Sequence, residues 1–489
     1  MKRSVQALIA IAASLLVTCC AVYKPQTSVS APVAIPGQFS DPGSEPWSEQ
    51  WWEAFGDDTL NELVERAFAD NLDLRRAWAR LVQADALARQ AGSALWPQVN
   101  AEGGAARTRI FIDTSRFPVD IGGLGIDVSS SAVTKLYSLA IGAAYEVDLW
   151  RRVASVKRAA ELDLEATVEN VNTIAVTIPA EVARLWFYIV ELKGQELLLD
   201  EQVAVGKQFL DLVELRFSEG LASAVDVYQQ RQQLAATRTQ RPLVKAQLEL
   251  LEHQLAVLLG QPPLTSVADT KGTLPPLGPL PQTGVPADLL KRRPDVRAAE
   301  LRVIAADYRV AAAVADRLPA IRLTGNVGYQ ANRSSDLFDG DVWTIAANLV
   351  APIIDGGRRA AEVDRTKAVV DELLTAYGQT LLVAFQEVED ALAQERNQHD
   401  YLGLLEKQVE LARQTLDAAQ TRYVNGQGDY LPVLTALQSL QRLERAYLTA
   451  QRDLLISRIQ LCRALGGSWA QETPQPIQES VTTNSERTR

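Results

Sequence analysis

Hydrophobic positions along this chain repeat with two distinct periods. Tyr137, Leu139, Ile141, Ala143, Tyr145 and Val147 are apolar, whereas Ser138, Ala140, Gly142, Ala144, Glu146 and Asp148 between them are small or polar. The alternation returns with Ile321, Leu323, Val327 and Tyr329 against Arg322, Thr324, Asn326 and Gln330. It returns again with Trp343, Ile345, Ala347 and Leu349 against Thr344, Ala346 and Asn348. A period of two predicts strands with one apolar face; a fourth strand, with weaker alternation, is expected around residues 99–112. Elsewhere the period is helical. Val182, Leu185, Ile189, Leu192, Leu199, Val203, Leu210, Val213 and Phe217 follow steps of three and four, with Glu196 and Gly206 at the two skipped positions. Such a heptad predicts coiled-coil packing.

The whole pattern is written twice. EVDLWRR, with Asp148, matches IIDGGRR, with Asp355, at an offset of 207; LRFSEG, ending at Gly220, matches TRYVNG, ending at Gly426, at 206. The same 206 carries AVLLG onto CRALG, and moves the heptad onto Val388, Ala391, Leu402, Leu405, Val409, Ala412, Leu416, Ala419 and Tyr423. Pro97 and Pro319 pair at 222, so the first copy holds 15 more residues between its strands, placed in a Gly- and Ser-rich loop over 109–131. Each copy reads helix, strand, strand, long helix, helix. The long helices, 151–216 and 358–423, each hold 66 residues and would reach roughly 100 Å; Pro179 is expected to kink the first. The shorter helices are expected at 58–95, 224–259, 287–317 and 433–465. Taken pairwise, they match a long helix in length.

The ends and joints divide the chain further. Lys2 and Arg3 precede an apolar run over 5–17, an export signal too short to span a bilayer. Cys19 and Cys20 stand where that run ends, the place at which a lipoprotein signal presents a thiol for acylation. The domain layout is therefore a signal at 1–19, an N-terminal collar segment at 20–56, a first repeat at 57–260, a Pro- and Gly-rich linker at 261–286, a second repeat at 287–466 and a tail at 467–489. Beyond 5–17 no continuous apolar run nears the length of a membrane helix. A crossing would have to be a β-barrel. Strands of about ten alternating residues, with Tyr and Trp near their ends and a polar opposite face, suit such a barrel, although a half-buried soluble sheet has the same period. Since the smallest barrels use about eight strands, four strands per chain imply an oligomer.

The net charge of −11 argues against nucleic acid or an anionic surface as partner. His253 and His399 have no Cys or His companions, so neither a metal site nor a catalytic triad can be assembled around them. Asp355-Gly356-Gly357 lacks the lysine of a phosphate loop and reads as a strand-to-helix turn with Asp355 as cap. Cys462, in an apolar helical pattern, has no disulfide partner. The chain is not expected to be an enzyme or to hold a cofactor, apart from a covalent lipid on Cys20 or, alternatively, Cys19.

Over nearly its whole length the sequence resembles the TolC-like outer membrane factor family, most closely the lipoprotein branch serving resistance-nodulation-division efflux systems. The resemblance rests on WWEAFGDDTLNELVERAFADNLDL, YEVDLWRR, LLKRRPDVRAAELRVIAADYRV, APIIDGGRR, RYVNGQGDYLPVL and the closing LGG. It implies an α+β membrane protein: a homotrimer in which each chain gives four strands to one outer-membrane β-barrel and its long helices to one periplasmic α-helical tunnel. Linker and termini would form an equatorial collar. The implied function is a passive conduit for small molecules, driven by an inner-membrane pump through a periplasmic adaptor, with outer-membrane lipid around it. The tunnel would close at tip turns marked by Gly220 and Gly426. Asp226, Tyr423 and Leu431 are the implied gate residues; an ordinary helix-surface carboxylate and ordinary packing are their plainer readings. Asp429 and Tyr430 lie in the same turn. Two departures stand out: Arg151 occupies a position where the family commonly has Gly, and Thr435 one where related channels often place an acidic gate residue. A protein-secretion channel and a periplasmic coiled-coil adaptor are the rival readings.

Overall fold

The computed structural model describes residues 23–48, 50–112, 130–263 and 269–466. The principal elements are α1 (Asp58–Asp70), α2 (Leu72–Ser93), β1 (Gln98–Ile112), β2 (Ser130–Val147), α3 (Arg152–Ser218), α4 (Ala224–Leu258), α5 (Pro294–Ala315), β3 (Ala320–Ala331), β4 (Asp341–Val350), α6 (Arg358–Val424) and α7 (Tyr430–Leu465). They fall into two compact units. One comprises residues 1–29, 83–164 and 301–374, the other residues 30–82, 165–300 and 375–489.

In the first unit the four strands form one antiparallel sheet in the order β1-β2-β3-β4. Register sets Ile141 between Ala101 and Val327, and Val327 in turn beside Trp343. The apolar residues therefore share one face. The opposite face is small: a Cβ on Gly328 would stand 2.6 Å from the Ala140 Cα, and one on Gly104 2.9 Å from the Ser138 hydroxyl. A sheet curling toward that face brings its side chains together, so Gly, Ala and Ser are what fit. The loop expected over 109–131 is shorter than its sequence suggested, because β1 and β2 continue to Ile112 and from Ser130.

Each strand-to-helix joint is closed by an aspartate. Asp148 accepts from the Val153 and Ala154 amides at 3.0 and 2.7 Å, and Asp355 from the Gly357 and Arg359 amides at 3.1 and 3.3 Å, as expected for a cap. Arg151 sits beside the first joint with φ +58°, and among the described residues it is the one non-glycine with positive φ. Below the joints, Asp307 on α5 accepts from the Tyr23 hydroxyl and, at 2.7 Å, from the Gln26 amide.

The second unit is helical, with a large core and smaller buried clusters along its helices. Trp51, Trp52 and Phe55 of a 3₁₀ turn join Leu60, Leu63, Trp186, Phe187, Leu199, Leu255 and Ile459 in the large core. Asp57 serves twice, capping α1 through the Leu60 amide and accepting from the Trp186 indole at 2.7 Å. Burial follows the heptad: Val182, Leu185, Ile189, Leu192, Leu199, Val213, Val388, Ala391, Leu405 and Tyr423 are buried. Phe217 breaks it, being 48% exposed.

Two expected helices are divided. Asn71 adopts extended backbone between α1 and α2, where its carboxamide caps α2 through the Leu74 amide and donates to the Leu258 carbonyl. Arg293, before Pro294, is extended because the proline ring bars the helical region to its predecessor. By contrast α3 runs through Pro179 and α4 through Pro242 without interruption.

The linker is fastened to the helices. Its residues 280–283 exchange backbone hydrogen bonds with 42–45. Arg458, buried, reaches both Glu395 oxygens at 2.6 and 2.9 Å and the carbonyls of Gly278 and Pro279 at 3.1 and 2.8 Å.

Two outcomes follow from these joints. Arg151→Gly removes a left-handed backbone strain of about 1–2 kcal/mol, so the thermal midpoint of the detergent-solubilised protein is expected to rise; a fall would show that the arginine side chain matters more than its φ. Arg458→Leu leaves the Glu395 carboxylate buried without its counterion, at about 3–5 kcal/mol. Limited proteolysis should then cut near 278–283 at protease levels that leave the parent intact.

Candidate functional site

Two features carry chemistry, one in each unit. In the first, the apolar face of the sheet is open: Ile345 is 81%, Leu349 69% and Trp343 68% exposed. Tyr137 to Val147 covers about 33 Å of strand, which on tilting matches a hydrocarbon band of about 25 Å. β1 and β4 each pair on one side only, so half of the backbone donors and acceptors on both edges have no strand partner among the described residues. The sheet is built to be continued and to face something apolar.

In the second unit, α3–α4 and α6–α7 form two helical hairpins whose turns use the same hydrogen bonds. Gly220, φ +72°, donates to Phe217, and Leu221 to the Arg216 carbonyl; Gly426, also +72°, donates to Tyr423, and Gln427 to the Arg422 carbonyl. Only glycine takes this left-handed geometry without strain, and the five-residue backward bond satisfies carbonyls the helix leaves free.

Between the hairpins lies a buried polar chain. The Tyr430 hydroxyl donates to Gln230 Oε1 at 2.7 Å, and Gln230 Nε2 donates to the Gly206 carbonyl at 2.7 Å. The Tyr423 ring packs against Tyr430 at 5.2 Å, and the Arg216 guanidinium lies 4.6 Å over it while donating to the Val424 carbonyl at 3.1 Å. Arg216 thus joins the last turns of α3 and α6. The Tyr423 hydroxyl and Arg216 Nε are buried without hydrogen-bond partners. Burial raises the pKa of both tyrosines above the ordinary value; nearby Asp226 adds to the rise for each, and Arg216 partly offsets it for Tyr423.

The expected gate residues separate into different environments. Gly220 and Gly426 form the turns, and Tyr423, 3% exposed, lies between the hairpins. Asp226 is at the third position of α4 and closes a capping box: its carboxylate accepts from the Ser223 amide at 2.9 Å while the Ser223 hydroxyl accepts from the Asp226 amide at 3.2 Å. Leu431 is 57% exposed, away from the tyrosine pair. Thr435 donates to the Leu431 carbonyl at 2.9 Å. Cys19 and Cys20 lie outside the described residues. Sequence reasoning missed Arg216 and Gln230. No sequence signal marked them: Phe217 is the repeat equivalent of Tyr423, yet it is exposed where Tyr423 is buried.

Among the described residues no group of three His, Cys, Asp or Glu side chains is placed to hold a metal. His253 and His399 sit exposed on α4 and α6. Burial pushes the Cys462 thiol up to about 12, which keeps it protonated and unreactive.

A model of the outer membrane efflux protein family matches residues 63–261 and 285–467. The pyoverdine export outer membrane protein OpmQ of Pseudomonas aeruginosa is 32% identical over 423 residues, covering 86% of this chain and 87% of that protein. The toluene efflux pump outer membrane protein TtgF of Pseudomonas putida is 30% identical over 434 residues, 87% of each. The solved structure of the outer-membrane channel OprN superposes with a TM-score of 0.82 at 28% identity, over 93% of this chain and all of that one.

The tyrosine pair predicts a pH response. A hydroxyl whose pKa is raised by folding contributes stability that is complete below the unfolded tyrosine value, 10.0, and is lost as pH rises through the higher folded value. Tryptic cleavage at Arg422 should therefore accelerate above about pH 10, and Tyr430→Phe should flatten that rise. An equal acceleration in the variant would mean that the pair does not hold the hairpins.

Proposed function

The chain belongs to the outer membrane efflux protein family, and we propose that three copies form one channel, through which an inner-membrane pump, engaged through a periplasmic adaptor, expels small molecules. The observation that carries this reading is the sheet. Its two unpaired edges and open apolar face are satisfied together when sheets of neighbouring copies join edge to edge into a closed barrel facing lipid. Three sheets of four strands exceed the closure minimum of about eight.

The same reading assigns the rest of the chain. Residues 1–19 are the signal peptide, and Cys20, or alternatively Cys19, receives the lipid. Residues 20–56, 261–286 and 467–489 form the collar, and 57–260 and 287–466 are the two repeats. The helical hairpins form the periplasmic tip, where Asp226 from each copy contributes to an acidic ring. Tyr423 holds the two hairpins of one copy together, and exposed Leu431 meets the next copy. The chain catalyses nothing, and energy comes from the pump. The named relatives are a pyoverdine export protein and a toluene efflux pump protein, which favours small molecules over the protein-secretion alternative.

Single-channel conductance in a planar bilayer tests this. The parent should conduct weakly and prefer cations, and Asp226→Ala should raise conductance at least about twofold or abolish the preference, since three carboxylates near one axis focus cations. A folded protein that never conducts would overturn the channel, and conduction unchanged by the substitution would remove Asp226 from the gate.

A further inference from the structure

Beyond the apolar band, the face of the sheet that bears it turns abruptly basic. Alternation puts Arg107 and Lys135 on the same face as Tyr137 and Ile141, and register sets Arg107 directly opposite Lys135, one step past the Ala105–Tyr137 pair. Arg109 follows on that face two residues further along β1. Tyr329, against the Phe338 ring at 5.3 Å, and Trp343 complete an aromatic border on the neighbouring strands. This end of the sheet is remote from the strand-to-helix joints at 98 and 147.

Two cations directly across a strand pair repel one another and destabilise it. Among the described residues neither Arg107 nor Lys135 makes an ion pair, and both are exposed. A sheet with an aromatic border normally places its first charges where they meet water and headgroups. On the β1–β2 pair those first charges are positive, clustered, and on the lipid side of the strand rather than on the small, polar side; the acid on that face, Asp341, stands at the end of β4 opposite Tyr329.

We propose that Arg107 and Lys135, with Arg109 beside them, form a binding site for the phosphate groups of a phosphorylated lipid headgroup in the outer leaflet. An anionic phosphate between two opposed cations replaces their repulsion with two charge-assisted hydrogen bonds, while its acyl chains lie along the apolar face that begins at Tyr137. The inference rests on the barrel reading above, which directs the helical joints to the periplasm and this end outward.

The test uses the full-length trimer in detergent, titrated with purified lipopolysaccharide, with the same glycolipid after enzymatic removal of its phosphates, and with inorganic phosphate as competitor. The intact glycolipid should bind at least about tenfold more tightly than the dephosphorylated one. The Arg107→Gln/Lys135→Gln double variant should lose that difference, and Arg107→Lys should keep most of it. Equal binding of the two glycolipids, or an unchanged preference in the double variant, would overturn the site. Competition by micromolar inorganic phosphate would overturn the lipid as its source. Unchanged single-channel conductance of the double variant shows that its barrel has formed; a parent protein that forms no channel would instead refute the underlying reading.

Discussion

The structure depends on a constraint that hydrocarbon imposes on the peptide backbone. In lipid an unpaired amide or carbonyl costs several kcal/mol, and a four-stranded sheet leaves two rows of them, on β1 and β4. An apolar face such as that of Ile345 and Trp343 belongs in lipid, and that placement forbids open edges. Both demands are met only by closure with other copies. The small residues on the other face follow from the same closure, because curling the sheet crowds its concave side, where Gly104, Gly328 and Ala140 are found.

In the helical unit the governing problem is to hold long helices in register. The core around Trp186 and Leu199 is large and apolar, and Arg458 adds a buried four-bond anchor for the linker. At the turns a smaller apolar cluster joins the hairpins, with Phe209, Val213, Val227, Val433, Leu434 and Leu437 buried around Tyr423 and Tyr430. A tyrosine pair, one glutamine and one arginine add polar contacts to it. An unpaired Tyr423 hydroxyl and an unpaired Arg216 Nε lie within it, each costing desolvation energy without return.

Much of this was legible because period and duplication are geometric signals. Alternation placed β2, β3 and β4, and the heptad placed the buried seam of α3 and α6 until Phe217. Asp355 read as a cap and is one, and Asp148, its repeat equivalent, caps α3 in the same way. What stayed hidden depended on contacts between distant segments. Nothing local marks Asn71 as a break except that its side chain reaches Leu258. The division at Arg293 was available from the proline rule and was missed in favour of periodicity. At the tip, repeat equivalence suggested two like hairpins, yet Tyr423 is buried and Phe217 is not, since only tertiary packing decides which hairpin covers the other. Asp226 has a capping task that its spacing from Gly220 did not disclose.

The central claim is that one chain holds only part of a barrel, and the mass of the detergent-solubilised particle tests it most directly. Native mass spectrometry should find three chains, dissociating only when the sheets unfold. A stable single chain that still inserts into bilayers and conducts would contradict the account, because its strand edges would then have been satisfied without a neighbour.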